Sequence, residues 1–209
     1  MDPIEKEVRN LVQLQRQSNQ LDRLARSVFR TEVLSEVYAA IARHDPTSVA
    51  PRYRAARLAK LIAELEAITG KGYEQIRRML VAELVKVGAA QSQWAADLIA
   101  MQTELFAESV GRQVMRRVLR DDHMHGLTLR EWVETAESSF TSNATRAIRN
   151  EVEQGVAAET IRRAVAGPVA RTARRHLDAV ARTSVTFISN RAHMKTYEAN
   201  EDVIGGVEF

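Results

Sequence analysis

Residues 128–155 read TLREWVETAESSFTSNATRAIRNEVEQG, and this stretch decides the fold class. Leu129, Trp132, Val133, Ala136, Phe140, Ala144, Ala147, Ile148 and Val152 recur at spacings of three and four, which lays one apolar face along a helix. Thr128 and Glu131 stand at the spacing of a capping box, with the Thr hydroxyl accepting from the Glu131 amide while Glu131 reaches back. Gln154-Gly155 closes the segment. A period-two pattern would mark strands, and none competes here.

The same helical period continues on either side. Toward the N-terminus, Ile4, Val8, Leu11, Leu14, Leu21, Leu24 and Val28 form a narrow stripe that suits helix-to-helix contact, and it runs on through Val33, Val37 and Ile41. His44-Asp45-Pro46 stops it, and a loop leads to about Pro51. A second helix starts at Arg52, carries Leu58, Leu61, Ile62, Leu65 and Ile68, and is expected to end at Gly70-Lys71-Gly72. A third follows from Tyr73 with Ile76, Leu80, Leu84 and Val87 on its buried face, and Gly88 is a candidate break. The fourth bears Trp94, Leu98, Met101 and Leu105, with its buried face rotating through Phe106, Val110, Val114 and Val118 before the loop at 121–127.

Beyond residue 155 a short helix over 158–166 is expected to stop at Gly167-Pro168. A long one then runs from Val169 to Asn200. Its stripes, Leu177, Ala181, Val185, Ile188 and Ala192 beside Val180, Phe187 and Met194, call for cover on more than one side. Val203, Ile204, Gly205, Gly206, Val207 and Phe209 read as a turn leading into a short β-strand. The expected fold is therefore mainly α. An extended helical N-terminal region, residues 1–120, precedes a compact helical C-terminal module over 127–209 that ends in that strand.

Composition narrows the chemistry. The 209-residue chain has no cysteine, which removes disulfides, cysteine zinc sites and thiol nucleophiles. No apolar run nears the roughly 20 residues that cross a bilayer, and acidic residues open the chain where a signal peptide would be basic, so a soluble, unsecreted protein without membrane partners is expected. No phosphate-cradling glycine loop and no catalytic motif appears on a suitable scaffold, so neither enzymatic activity nor a cofactor is expected. Asp121, Asp122, His123 and His125 place four possible ligands within five residues, but metal ligands usually come from separated elements, a polar loop ending a helix explains them better, and no metal is assigned.

Charge is uneven. Residues 1–140 hold 20 basic against 19 acidic side chains, residues 141–200 hold 10 against 5, and 25 of the 30 basic residues are arginine. The excess lies mostly on the last two helices, in Arg162, Arg163, Arg171, Arg174, Arg175, Arg182, Arg191 and Lys195. Arg171, Arg174 and Arg175 share a helical face, which suits phosphate backbone or acidic protein groups, and equally suits a solvated surface.

From residue 126 onward the chain also resembles a known family. Gly126-Leu127-Thr128-Leu129-Arg130-Glu131-Trp132 opens the matching stretch, followed by Ile148-Arg149, Gly155, Glu159-Thr160-Ile161-Arg162-Arg163 and Gly167. Ala181-Arg182-Thr183-Ser184-Val185, Ser189-Asn190-Arg191-Ala192, Tyr197-Glu198-Ala199-Asn200 and Gly205-Gly206-Val207-Glu208-Phe209 complete it. That order is similar to the phage Mu F-like head morphogenesis family, the minor head proteins of tailed bacteriophages. The resemblance implies a structural protein that associates with the portal and other head proteins during procapsid assembly in the host cytoplasm. It implies a final place in the virion head interior near the portal vertex, where packaged DNA is a further partner. It also implies that residues 127–209 lack the loop that ends the family's domain, and it carries over no catalytic residue. Two rival readings remain: a cytosolic helical nucleic-acid-binding or regulatory module, and a coiled-coil adaptor that self-associates through residues 4–41.

Overall fold

The computed structural model describes residues 3–205, and they are overwhelmingly helical. In chain order the elements are α1 (Pro3–Val28), a π-helical turn (Phe29–Leu34), α2 (Ser35–Arg43), a 3-10 turn (Pro46–Ser48) and α3 (Pro51–Thr103). Then come α4 (Arg112–Asp121), α5 (Leu129–Glu153), α6 (Ala158–Ala164), a second π-helical turn (Val165–Val169), α7 (Ala170–Ala199) and α8 (Glu201–Ile204). The mainly α expectation holds. Among the described residues there is no β-strand: Val203 and Ile204 are helical and Gly205 is a turn, while 206–209 lie outside the described residues. The pattern misled because Val203 and Ile204 are partly buried against a small apolar cluster of Ala96, Ile99 and Ala107, which a single helical turn satisfies without a strand partner.

Three expected helix ends are absent. Gly70 and Gly72 lie inside α3, and so does Gly88. A Cβ at Gly72 would stand 2.4 Å from Val33 Cγ2 and 3.3 Å from the Glu32 carbonyl oxygen. One at Gly88 would stand within 2.9 Å of Met115 and Ile188 side-chain atoms. These two glycines admit a neighbouring segment to close range rather than ending the helix. Gly167-Pro168 likewise does not separate two helices. Proline lacks an N–H and its ring crowds the preceding turn, and the wider π-helical turn accommodates both as the chain passes from α6 into α7.

Conversely, the expected continuous fourth helix is broken. α3 stops at Thr103, Glu104 takes a left-handed φ of 59°, and α4 starts after Gly111. Phe106, placed by its spacing on a buried face, is 86 % exposed. Side chains hold the break open. The Leu105 amide donates to Thr103 Oγ1 (3.2 Å), and the Val110 amide donates to Ser92 Oγ (2.7 Å). Asn200 accepts from the Glu108 amide at 2.7 Å and donates to the Glu108 carbonyl at 2.8 Å.

The chain divides into two compact units, each assembled from separate stretches: a first of Met1–Asp22, Met79–Arg130 and Val180–Phe209, and a second of Arg23–Arg78 and Glu131–Ala179. Each unit takes residues from both sides of the 121–127 turn.

The second unit centres on three aromatic rings. Phe29 meets Phe140 edge-on at 5.2 Å and Tyr73 at 6.0 Å, and all three are at most 2 % exposed. The buried residues Ala25, Phe29, Val33, Val37 and Ile41 recur at strict steps of four. An α-helix would rotate such a stripe by about 40° per step. The underwound π turn at Phe29–Leu34 offsets part of that drift and keeps the stripe on the core. The Tyr73 hydroxyl is buried with no hydrogen-bond partner among the described residues, and burial, reinforced by the Glu137 carboxylate, pushes its pKa far up.

The first unit packs Ile76's continuation along α3, Leu80, Leu84 and Val87, with Met115, Val118 and the C-terminal part of α7. Its portion of α1 follows the expected stripe at Leu21, which is buried, and departs from it nearer the N-terminus. Asn10 and Ser18 are buried, whereas Ile4, Val8, Leu11 and Val12 are 47–68 % exposed.

Candidate contact surface

Five of the eight basic residues singled out by sequence belong to the second unit and three to the first. In the second unit, Arg162 donates to Glu159 (3.0 Å) and its guanidinium lies 5.4 Å from the centre of the Tyr38 ring. Arg174 turns back to donate from Nε to the Ala170 carbonyl at 3.2 Å. Tyr38 feels both cations: burial raises its pKa, and Arg174 and then Arg162 oppose the rise. Arg162 and Arg174 are therefore half-buried packing residues around Tyr38. Arg163 is an outlying partner of Glu159 at 3.7 Å. Arg171 and Arg175, four residues apart and exposed, form no ion pair among the described residues and present their charge to solvent.

In the first unit, Arg191 pairs with Asp122 at 3.1 Å and lies 5.5 Å from the Phe187 ring centre. Lys195 pairs with Glu198 at 2.6 Å within its own helix. Arg182 is exposed. The basic residues singled out by sequence are thus sorted by the fold: Arg191 and Lys195 are matched by carboxylates, whereas Arg171 and Arg175 are not, among the described residues.

Sequence reasoning missed a buried polar knot in the first unit. Gln91 Nε2 donates to Asn10 Oδ1 (2.7 Å) while Gln91 Oε1 accepts from Asn10 Nδ2 (3.1 Å), closing a reciprocal amide pair. The same Oε1 accepts from Ser189 Oγ at 3.2 Å and lies 3.0 Å from His193 Nε2, which places the imidazole proton on Nε2. His193 stacks on Trp94 with centroids 5.1 Å apart, and burial lowers its pKa. Beside it Ser92 and Thr196 share a hydrogen bond of 2.7 Å. The knot ties α1, α3 and α7 together through groups that tolerate only one register. A signal was present: polar residues at Gln91, Ser189, His193 and Thr196 interrupt otherwise apolar helical periods.

A cavity of about 240 Å³ opens next to this knot, lined by Lys6, Arg9, Asn10, Trp94 and Asp97. Arg9 is engaged by Glu5, whereas Lys6 Nζ donates to the Met101 thioether, at 3.0 Å. Asp121, Asp122, His123 and His125 do not gather: Asp121 pairs with Arg120 and Asp122 with Arg191. Among the described residues no three His, Asp or Glu side chains converge as metal ligands, and no helix is long and apolar enough to cross a membrane. Compared with known proteins, the chain matches no family model, no curated protein and no solved structure.

Proposed function

We propose that the chain is a structural head-morphogenesis protein of a tailed phage, which associates with the portal and the head interior during procapsid assembly and transforms no substrate. The observation that carries this reading is where the residues of the resemblance fall. Ala181, Ser184, Val185, Ser189, Ala192 and Asn200 are all at most 3 % exposed, and Ser189 and Asn200 belong to the polar bonds that fix α7. Other residues of the same series, Arg182, Asn190, Tyr197 and Glu198, are exposed, so the reading rests on the packing positions of the resemblance alone.

Two further features favour assembly. The exposed stripe of Ile4, Val8, Leu11 and Val12 gives α1 an apolar face suited to a neighbouring helix. Arg171 and Arg175 offer unmatched charge to portal carboxylates or to DNA phosphates. The test is co-purification with a portal ring expressed from the same genome. The full chain is expected to travel with the ring, and the Arg171→Glu/Arg175→Glu variant to be retained less. Failure of the wild-type chain to associate, with retention on DNA instead, would replace this reading with that of a nucleic-acid-binding module.

A further inference from the structure

The N-terminal half of α1 turns its apolar side outward. Asn10 and Ser18 are buried, while Ile4, Val8, Leu11 and Val12 are exposed. Hydrogen bonds fix this rotation of the helix. Asn10 and Gln91 exchange amide bonds of 2.7 and 3.1 Å, and Lys6 Nζ donates to the Met101 thioether on the same inner side. Rolling the apolar side inward would break the reciprocal pair and leave Gln91 buried without its amide partner. The outward stripe is also short. Leu21, Val33, Val37 and Ile41, which continue its period, are buried, so the folded chain presents only residues 4–16 of the expected 4–41 seam.

The charges beside the stripe select its partner. Glu5 and Arg16 are exposed, stand about three helical turns apart, and lie on the same flank of the stripe. Arg16 forms no ion pair among the described residues. Arg9 donates to Oε1 of Glu5, and a carboxylate has the capacity to accept from a second guanidinium through its other oxygen. Acid before base along a flank is complemented by the same flank running the opposite way. A two-fold axis perpendicular to two antiparallel helices brings equal flanks together. With that axis level with residues 10 and 11, the helical rise sets Val8 of one copy opposite Val12 of the other and Leu11 beside its own counterpart. In the same register Glu5 faces Arg16 in both directions.

We propose that the folded chain pairs with a second copy of itself through an antiparallel contact between the 4–16 segments of α1. Val8, Leu11 and Val12 seal the contact, and Glu5 and Arg16 set its direction and register. The pairing goes beyond the head-morphogenesis role and does not depend on it. So small a contact makes a weak, exchanging dimer rather than an obligate one.

Sedimentation velocity of the full chain at concentrations up to about 200 µM is expected to show reversible dimerisation with a Kd of about 1–100 µM. Val8→Glu places a carboxylate in the seam at an exposed position, so folding is retained, and it is expected to weaken the dimer by at least about tenfold. Glu5→Arg and Arg16→Glu each set like charges against one another twice, and each is expected to weaken self-pairing by about threefold or more. Mixing these two variants is expected to restore pairing, because the mixed dimer regains both opposite-charge contacts. Circular dichroism checks that every variant keeps its helix content. A chain that stays monomeric at every concentration, a dimer unaffected by Val8→Glu, or charge variants that associate no better when mixed would overturn the proposal. If the chain stayed monomeric and Val8→Glu lost retention on a portal ring, the stripe would belong to the portal, which overturns self-pairing and leaves the proposed function standing.

Discussion

Gly70→Ala and Gly72→Ala, two residues apart in the same helix, are expected to change stability in opposite directions. Both glycines have ordinary right-handed φ values, so each alanine gains the intrinsic helix preference of about 1 kcal/mol. At Gly70 the added methyl meets only Glu137 Oε1 at 3.5 Å, an ordinary contact, and the gain survives. At Gly72 the methyl would sit 2.4 Å from Val33 Cγ2, and Val33 is fully buried and β-branched, so it has little room to rotate away. Overpacking of that kind costs about 2–3 kcal/mol, for a net loss of about 1–2 kcal/mol. For a chain of this size the melting temperature should rise by about 2–4 °C in Gly70→Ala and fall by about 2–8 °C in Gly72→Ala. Adding Val33→Ala to Gly72→Ala should reveal a favourable coupling of about 1–2 kcal/mol in a double-mutant cycle. If instead Gly70→Ala destabilised the protein as strongly as Gly72→Ala, the helix would end there after all, and the continuous α3 would be wrong.

Three other substitutions probe the interior. Tyr73→Phe removes a buried hydroxyl that has no partner, so it should stabilise by about 1 kcal/mol, and a lowered denaturation midpoint would show that the hydroxyl is satisfied. Asn200→Ala strands the amide and carbonyl of Glu108 and should cost at least about 2 kcal/mol, with proteolysis accelerated at 104–111; protection equal to wild type would contradict the clamp. Burial lowers the His193 pKa below its ordinary 6.5, so between the folded and unfolded values the unfolded chain binds the extra proton. Stability should therefore fall as the pH drops below about 6.5, and His193→Gln should flatten that part of the urea-midpoint profile; an unchanged slope would refute the assignment.

Much of the helical framework was legible because burial follows period. Most of the face of α5 from Leu129 to Val152 and the first stripe of α7, Leu177 to Ala192, are buried as their spacing requires, whereas in the second stripe Val180 is buried, Phe187 is half-buried and Met194 is 48 % exposed. What misled was residue chemistry that serves two ends. Glycine terminates helices and also admits close neighbours, and only the neighbour, Val33 for Gly72 or Met115 and Ile188 for Gly88, distinguishes the cases. Leu105, Phe106 and Val110 continue an apolar period across a break that depends on a distant side chain, Asn200, for its hydrogen bonds. The π turns are invisible to a search at 3.6 residues, although strict fourfold spacing from Ala25 to Ile41 points to underwinding. At the candidate surface, the composition of the basic face was evident, but its sorting was not. Which arginines meet Asp122 or Tyr38 depends on contacts that no local pattern encodes, whereas Arg162 and Arg163 meet Glu159 at the helical spacings of three and four.

The proposed head-morphogenesis role requires that the exposed apolar and arginine faces be completed by other components of a viral head. Quantitative peptide mass spectrometry of tailed-phage particles produced from the genome that encodes the chain tests this most directly. Peptides from both compact units are expected in DNA-filled heads at a fixed ratio to the portal protein. Particles that are complete and infectious without the chain would contradict it.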